Sequence, residues 1–233
     1  MRQGTESAVE NNVGGLRSHT LCGQAAAEAV QNIQNHHRKH GAPMHKHSLI
    51  DLPTFNQHQT TINSVIESPR GNQIKFKYIP RFDSFAVSYI LPTGSVFPRD
   101  YGFIPSTLGK DGDPLDILVL LDAPTFTGCI VPTRVIGVIE AEQTQDGATF
   151  RNDRLIGTAV AAHEYAHINS VSDLDPIVVK EIEHFYMSYN EMRDRRFKPL
   201  KHSSPEVALE LIRKGMRAFA IDRDKIGATS TVS

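Results

Sequence analysis

The spacing of apolar residues changes along the chain, and the first regular pattern begins near residue 62. There, apolar and polar positions alternate as they do in strands with one buried face. Strands are predicted in this way over 62–66, 74–78, 85–91, 130–139 and 155–160. The stretch 130–139 is predicted to be a pair of strands divided at Pro132. A continuous apolar run at 117–121 predicts one more strand, fully buried.

The last third of the chain changes to helical spacing. Apolar residues recur every three or four positions from Pro176 to Tyr189, and again from Pro205 to about Phe219. Proline suits the first turn of a helix, because the N–H groups of that turn have no partner within the helix. Several strands followed by two helices predict an α+β domain built on a small barrel.

The two ends of the chain lack this regularity and are predicted to lie outside the domain. Residues 1–55 form an N-terminal extension that is partly disordered, with a helix predicted over 19–39. The histidines between residues 36 and 47 are spaced irregularly, which favours a solvated linker over a metal site. Residues 56–222 then form the domain, and residues 223–233 form a flexible tail.

Composition narrows the classes of function. Lys and Arg number 25 and Asp and Glu number 26, so the net charge of −1 argues against a nucleic acid or an anionic membrane as partner. No apolar stretch reaches the roughly 20 residues that span a bilayer, and the N-terminus has no secretory signal. Cys22 and Cys129 lie far apart, which argues against a disulfide framework and a cysteine zinc site. We therefore expect a cytoplasmic protein.

Three aspartates stand within six residues directly before the buried strand, at positions 111, 113 and 116. Pro114 disfavours a helical conformation at the residue before it, so this segment is predicted to be a turn. Carboxylates this close together repel one another unless a proton or a cation lies between them. Their hard oxygen atoms suit magnesium, manganese or calcium, although a solvated acidic turn would have the same sequence.

Two other patterns suggest different chemistry. The stretch 163–167 reads His-Glu-Tyr-Ala-His and matches a zinc-protease pattern, which needs a helix and a third ligand. Ser170 and Asp173 stand where the extended form of that pattern has glycine and histidine. The basic residues of 193–201 suit phosphate contacts, but cations also suit a solvated helix end, which we favour.

The aspartate turn and the segments around it resemble the soluble inorganic pyrophosphatases of the single-domain, magnesium-dependent family. Asp-Gly-Asp-Pro-Leu-Asp at 111–116 fits the family signature at every position, and Tyr-Gly-Phe-Ile-Pro at 101–105 fits the segment ahead of it. Further similarity covers 65–69, 74–76, 128–138, 164–168 and 184–189. The resemblance implies a small closed five-stranded OB-like β-barrel with flanking C-terminal helices. It also explains the zinc-like pattern without any zinc.

The resemblance implies metal-assisted hydrolysis of pyrophosphate to phosphate, and it assigns roles to individual residues. Asp111 and Asp116 would hold Mg²⁺, with Mn²⁺ as the alternative ion. Asp113 would accept the proton of the attacking water, and Tyr101 would be the second catalytic residue. The substrate-binding residues would be Lys75, Arg154 and Tyr189, with Glu67 supporting the site from beneath. A small phosphorylated substrate and a homo-oligomeric assembly follow from the same resemblance.

Several positions depart from the family pattern, and most of the changes remove charges that hold ions or phosphate. Lys77 replaces an acidic residue, and Tyr89 replaces an arginine that binds phosphate. The other replacements are Phe97 for a tyrosine, Gln143 and Asn152 for two aspartates, and Asn190 for a lysine. Asp146 and Asp153 are the candidate substitutes for the missing aspartates.

These departures predict a site that holds fewer divalent ions and hydrolyses pyrophosphate more slowly than is usual for the family. Two alternatives stay open, because a fold does not determine a function. One is an enzyme on the same scaffold that acts on an organic diphosphate or another small molecule, in a pocket lined by Tyr89, Phe97 and Phe103. The other is a catalytically silent interaction subunit.

Overall fold

A computed structural model describes residues 48–230, with side chains described through residue 225. The strands are β1 (Ile62–Ser68), β2 (Ile74–Ile79), β3 (Ser84–Ile90), β4 (Asp100–Phe103), β5 (Asp116–Leu120), β6 (Ile130–Gln145), β7 (Ala148–Arg151), β8 (Arg154–Ala159) and β9 (Arg196–Ser203). The helices are α1 (Pro176–Glu191) and α2 (Pro205–Ser230), and short 3-10 helices lie at Leu49–Asp51, Pro80–Phe82 and Val171–Asp173. This arrangement is the α+β class that the sequence predicted.

Most of the strands belong to one sheet. Its order is β1-β4-β5-β8-β6-β7, with β9 also paired to β6. β5 and β8 run parallel, and the other neighbours run antiparallel. β1 pairs with β6 as well as with β4, so strand pairing leads from β1 through β4, β5, β8 and β6 back to β1. β2 and β3 form a separate hairpin.

β5 is covered on both faces, which explains its continuous apolar run. Leu118 packs in a cluster with Ile182 of α1, and Ile117 packs in another cluster with Ile212 of α2. Successive side chains of a strand point to opposite faces, so a strand covered twice needs an apolar residue at every position. Each such side chain contributes on the order of 1.5–3 kcal/mol when it is fully buried. The packing fixes the strand whose first residue is Asp116.

β1 and β4 approach each other closely at Gly102. A Cβ atom at this position would lie 2.0 Å from the carbonyl oxygen of Val65, so no residue larger than glycine fits. The approach also fixes the backbone of Tyr101, the residue before it in β4. Close packing of β1 against β4 therefore requires glycine at position 102, which also belongs to the segment that resembles the family.

The structure differs from the sequence-based prediction at β6. Residues 130–145 form one continuous strand, and the pair of strands divided at Pro132 was wrong. Pro132 lies opposite Asn63 of β1, and its carbonyl oxygen accepts the N–H of Val160 at 2.9 Å. A proline lacks only the donor, so it fits where its carbonyl oxygen makes the hydrogen bond.

The C-terminal elements also differ from the prediction. The basic stretch interpreted as a solvated helix end overlaps β9, which pairs with β6. α2 continues to Ser230, past the end predicted near Phe219 and into the segment predicted to be a tail. The helix predicted over 19–39 and the histidines that follow it lie outside the described residues. Between residues 48 and 230, no helix is both long enough and apolar enough to cross a membrane.

Candidate active site

Asp111 and Asp113 lie in a turn between β4 and β5, as the proline spacing predicted, and Asp116 is the first residue of β5. Gly112 has a φ of 85°, a left-handed conformation that suits glycine. The N–H of Asp113 donates to Oδ1 of Asp111 at 3.2 Å, and the N–H of Gly109 donates to the carbonyl oxygen of Asp113 at 2.7 Å. Asp111 and Asp113 are exposed, whereas Asp116 is partly buried at the start of β5.

A cavity of about 400 Å³ opens beside this turn. Its lining includes these residues that the sequence assigned to the site: Glu67, Lys75, Tyr101, Asp113 and Asp116. Lys77, Arg193 and Arg195 also line it. Asp111 lines a second cavity of about 410 Å³ instead, together with Asp116 and Asp153. The turn therefore borders two cavities, and both have cationic residues in their lining; those of the second are Lys110, Arg151 and Lys214.

Lys77 forms an ion pair with Asp113. Its Nζ donates to both carboxylate oxygens, at 2.8 and 2.9 Å. The two side chains are 46% and 52% exposed, so water screens the pair, which contributes about 0–1 kcal/mol to stability. Burial opposes the charge of Lys77, but the attraction of Asp113 outweighs it and raises the pKa of Lys77. Both oxygens of the predicted base are thus bound by a cation.

Asp116 is held more firmly, by Arg154 and Tyr101. Nη1 of Arg154 donates to Oδ2 of Asp116, and the Tyr101 hydroxyl donates to Oδ1 at 2.5 Å. Arg154 is 7% exposed and lies over the rings of Tyr186 and Phe197, at 4.9 and 5.6 Å from their centroids. Burial opposes its charge, yet the attraction of Asp116 outweighs burial and raises the pKa of Arg154. Arg154 is therefore a permanent cation beneath the cavity.

Glu67, Lys75 and Tyr101 complete the buried side of the cavity. Glu67 accepts the N–H of Tyr78 at 2.8 Å, and burial raises the pKa of Glu67 to about 7. Nζ of Lys75 lies 3.5 Å from the Tyr101 hydroxyl and 5.0 Å from the centroid of its ring. Burial and the charge of Asp116 raise the pKa of Tyr101 well above its usual value, so the hydroxyl keeps its proton near neutral pH.

The amides that replace two aspartates bind to each other. Nδ2 of Asn152 donates to Oε1 of Gln143 at 2.8 Å, and Oδ1 of Asn152 accepts from Nη1 of Arg154 at 2.7 Å. The two side chains extend the network that begins at Asp116. They satisfy one another's hydrogen-bonding groups without adding negative charge.

The candidate substitutes, Asp146 and Asp153, lie in different surroundings. Oδ1 of Asp153 accepts the N–H of Ala141 at 2.9 Å and Nη2 of Arg151 at 2.8 Å. Asp146 is exposed in the turn between β6 and β7, and its Oδ2 accepts from Gln145 at 3.1 Å. The structure thus brings Asp153 to the second cavity and leaves Asp146 at the surface.

The residues present do not fit the cluster of divalent ions that the resemblance implies. Asp113 and Asp116 each bind a side-chain cation, and the amides at 143 and 152 carry no charge. Among the side chains of residues 48–225, no three of His, Cys, Asp or Glu are grouped so as to hold a metal ion. Lys77 already balances the charge of Asp113, and Arg154 already balances that of Asp116.

Two arginines just after α1 line the cavity, although we favoured a solvated helix end over phosphate contacts for this stretch of the sequence. The N–H groups of Arg193 and Arg195 donate to the carbonyl oxygen of Asn190, at 2.9 and 3.0 Å. Asp194 between them has a left-handed φ of 54°. The side chain of Asn190 turns inward and donates to the carbonyl oxygen of Tyr186 at 2.8 Å. The density of arginines just after an amphipathic helix was the available signal.

Aromatic rings hold Arg193 in place. Its guanidinium carbon lies 5.0 Å from the ring centroid of Tyr89 and 5.1 Å from that of Tyr189, and Nη1 donates to the Tyr189 hydroxyl. Nζ of Lys75 lies 5.6 Å from the same Tyr189 ring. Tyr189 therefore contacts two cations of the cavity. Cations over aromatic faces are attracted by the ring quadrupole, which orders both side chains.

Two further expectations are corrected by the structure. Phe97 is 2% exposed and stacks on Tyr101 with ring centroids 5.5 Å apart, so it supports the cavity and does not line it. The stretch 163–167 forms turns, and the N–H groups of His163 and Glu164 donate to the carboxylate of Asp122. A zinc-protease site requires a helix here, so that interpretation is wrong.

Comparison with known proteins identifies the family of the chain. The sequence model described as inorganic pyrophosphatase matches residues 64–220. An inorganic pyrophosphatase from Thermus thermophilus is 34% identical over 169 residues, which cover 71% of this chain and 94% of that protein. The chain belongs to the inorganic pyrophosphatase family. The resemblance predicted from the aspartate turn is thereby confirmed.

A plant pyrophosphatase and a crystal structure give the same result. Soluble inorganic pyrophosphatase 5 from Arabidopsis thaliana is 30% identical over 158 residues, which cover 68% of this chain and 71% of that protein. The crystal structure of inorganic pyrophosphatase from Thermus thermophilus matches with a TM-score of 0.69 at 32% identity, covering 75% of this chain and 99% of that one. The chain therefore resembles this pyrophosphatase in structure as well as in sequence.

Proposed function

We propose that the chain binds pyrophosphate in the cavity beside the aspartate turn and hydrolyses it slowly to phosphate. The composition of the cavity lining supports this proposal, because Lys75, Arg193 and Arg195 face the same space as Tyr101 and Asp113. Cationic side chains and a hydroxyl suit the oxygens of a diphosphate. Membership in the pyrophosphatase family makes pyrophosphate the first substrate to test.

The proposed reaction uses the residues of the chain in separate roles. Lys75 and Arg193 bind and orient the phosphoryl groups, and the Tyr189 hydroxyl accepts from Arg193 and so helps to orient that arginine. A water attacks one phosphorus, the bond to the bridging oxygen breaks, and the proton of the water passes to Asp113. Lys77 occupies both oxygens of Asp113, so the base is free only when that ion pair opens. Slow hydrolysis follows from this competition.

Several finer expectations belong to the same proposal. The ring of strand pairing from β1 back to β1 is taken as the closed five-stranded OB-like barrel. The site rests on one domain over residues 56–222, in a cytoplasmic protein that forms homo-oligomers. The family implies a divalent ion, and Mg²⁺ and Mn²⁺ are the ions to include when activity is measured.

Asp113→Asn tests the proposed base. We expect the variant to lower phosphate release from pyrophosphate by about a hundredfold, because an amide cannot accept the proton of the attacking water. The measurement is phosphate release by the full chain, with Mg²⁺ or Mn²⁺ titrated over a wide range. Asp222→Asn, which removes a carboxylate from the exposed side of α2, is the matched control and should leave the rate unchanged. Equal rates for Asp113→Asn and the unmodified chain would refute the assigned role.

A binding subunit without catalysis is the second candidate. The pairing of Asp113 with Lys77 and of Asp116 with Arg154 favours it, because both carboxylates are occupied. The same assay separates the two candidates. Retained binding of pyrophosphate with no phosphate release by the unmodified chain would support the binding role and end the proposal of hydrolysis.

A further inference from the structure

The carboxylate oxygens of Asp113 and Asp116 already bind side-chain donors, whereas Asp111 accepts the N–H of Asp113 on Oδ1. Lys77 holds both oxygens of Asp113, while Arg154 and Tyr101 hold the two oxygens of Asp116. A divalent ion at Asp116 would have to displace a guanidinium that is 7% exposed. Breaking a buried ion pair leaves a buried charge without a partner, which strongly opposes that exchange.

Arg193, just after α1, places a cation at the cavity. Two other positions where the resemblance implies a cation are neutral in this chain. Tyr89 stands where the resemblance places a phosphate-binding arginine, and Arg193 lies over the ring of Tyr89 at 5.0 Å. Asn190 stands where the resemblance places a lysine, and its side chain turns away to bond the carbonyl oxygen of Tyr186. The cavity has therefore kept positive charge, but from a different part of the chain.

The charge balance of the cavity lining favours an anion before any metal ion binds. Its cationic side chains are Lys75, Lys77, Arg193 and Arg195, and its carboxyl groups are Glu67, Asp113 and Asp116. Burial raises the pKa of Glu67 to about 7, so this carboxyl group is about half protonated near neutral pH. Arg154 adds one more cation directly beneath Asp116. The net charge at the cavity is positive.

We propose that this cavity binds the phosphate groups of a mono- or diphosphorylated small molecule without a divalent metal ion. Lys75, Arg193 and Arg195 contact the phosphate oxygens. Lys77 and Arg154 stand in for metal ions by balancing the charges of Asp113 and Asp116. The inference rests on the phosphate-binding role proposed above, but it does not require hydrolysis.

Isothermal titration calorimetry of the full chain, in buffer freed of metal ions by a chelating resin, tests this inference. The probes are inorganic phosphate and methylenediphosphonate, whose bridging carbon resists hydrolysis. We expect methylenediphosphonate to bind, and its affinity to change by less than about threefold when Mg²⁺ is added. Mg²⁺ alone should give no binding heat. Binding of the diphosphonate only in the presence of Mg²⁺, or saturable binding of Mg²⁺ by itself, would overturn the inference.

Arg193→Gln tests the proposed contact of Arg193 with phosphate. The variant should weaken metal-free binding of methylenediphosphonate about tenfold or more, because it removes a charged donor to phosphate oxygens. Arg213→Gln removes an arginine from the exposed side of α2 and should bind as the unmodified chain does. Circular dichroism checks that each variant folds, and Arg195→Gln replaces Arg193→Gln if the latter does not. Unchanged affinity in the folded variant would contradict the proposed phosphate contacts.

A variant with restored carboxylates tests whether side-chain cations take the place of metal ions. Lys77→Glu combined with Asn152→Asp inverts one charge and adds another beside Asp116, so we expect the folded variant to bind Mg²⁺ and to lose metal-free affinity for the diphosphonate. Lys77→Gln, at an exposed position, serves if the double variant does not fold. It should lower metal-free affinity severalfold, about as much as one exposed cation supplies. If the folded variants bind Mg²⁺ and the diphosphonate as the unmodified chain does, Lys77 does not replace a metal ion.

Failure of this inference and failure of the proposed hydrolysis give different results. Metal-free binding without phosphate release at any concentration of Mg²⁺ would end the proposal of hydrolysis and support the inference. Phosphate release together with diphosphonate binding only in Mg²⁺ would end the inference and support hydrolysis.

Discussion

Replacing Arg154 with methionine is expected to lower the free energy of unfolding by about 3–5 kcal/mol. The variant removes the cation that binds Oδ2 of Asp116 and leaves that carboxylate partly buried beside the Tyr101 hydroxyl. It also removes the guanidinium that lies over the rings of Tyr186 and Phe197. Chemical denaturation of the two proteins at neutral pH measures the difference.

Two comparisons separate lost charge pairing from lost packing. Arg154→Met combined with Asp116→Asn removes both charges and should recover most of the lost stability, because no unpaired carboxylate is then left in the protein. Lys214→Met breaks an exposed ion pair with Glu210 and should leave the stability nearly unchanged, because water screens that pair. If Arg154→Met is as stable as the unmodified chain, the pair with Asp116 does not hold the centre together.

Replacing Glu67 with glutamine is expected to raise the free energy of unfolding above pH 7 by on the order of 3 kcal/mol. Burial raises the pKa of Glu67 from its usual 4.5 to about 7, against the opposing attraction of Lys75 and Lys77. The folded chain therefore holds this proton more tightly than the unfolded chain does. The stability contributed by the group is fully present below pH 4.5 and is lost as the pH rises through 7.

The amide removes this pH dependence, because it stays neutral and its oxygen can still accept the N–H of Tyr78. The gain in stability should therefore be small below pH 4.5 and should grow through the interval up to pH 7. Urea denaturation of both proteins across this interval measures it. Glu191→Gln, at the exposed end of α1, is the matched control and should show no such trend. A stability difference that is flat with pH would show that Glu67 is not held in its neutral form.

The candidate site divides into residues that local sequence could identify and residues that it could not. Pro114 predicted the turn correctly, because backbone preferences act within a few residues. Phe97 was wrongly placed in the lining of the pocket, since only packing shows that it stacks beneath Tyr101. Arg193 was set aside as part of a solvated helix end, because nothing local shows that its guanidinium reaches Tyr89.

The fold divides in the same way. The apolar run of β5 and the spacing of α1 were recognised from sequence, since burial on one or two faces imposes a period on the residues themselves. β9 was missed, because its residues alternate little in polarity and its strand conformation depends on pairing with β6. The long β6 was divided at Pro132 for the same reason. The partner strand makes that proline acceptable.

By itself, the sequence determined the α+β class, the acidic turn and the membership in the inorganic pyrophosphatase family. Only the tertiary structure decided which cations balance the aspartates. Lys77 lies 36 residues from Asp113 and Arg154 lies 38 residues from Asp116, yet each pair is in contact. Coulombic attraction depends on distance in space and on burial, and a chain specifies both only after it has folded.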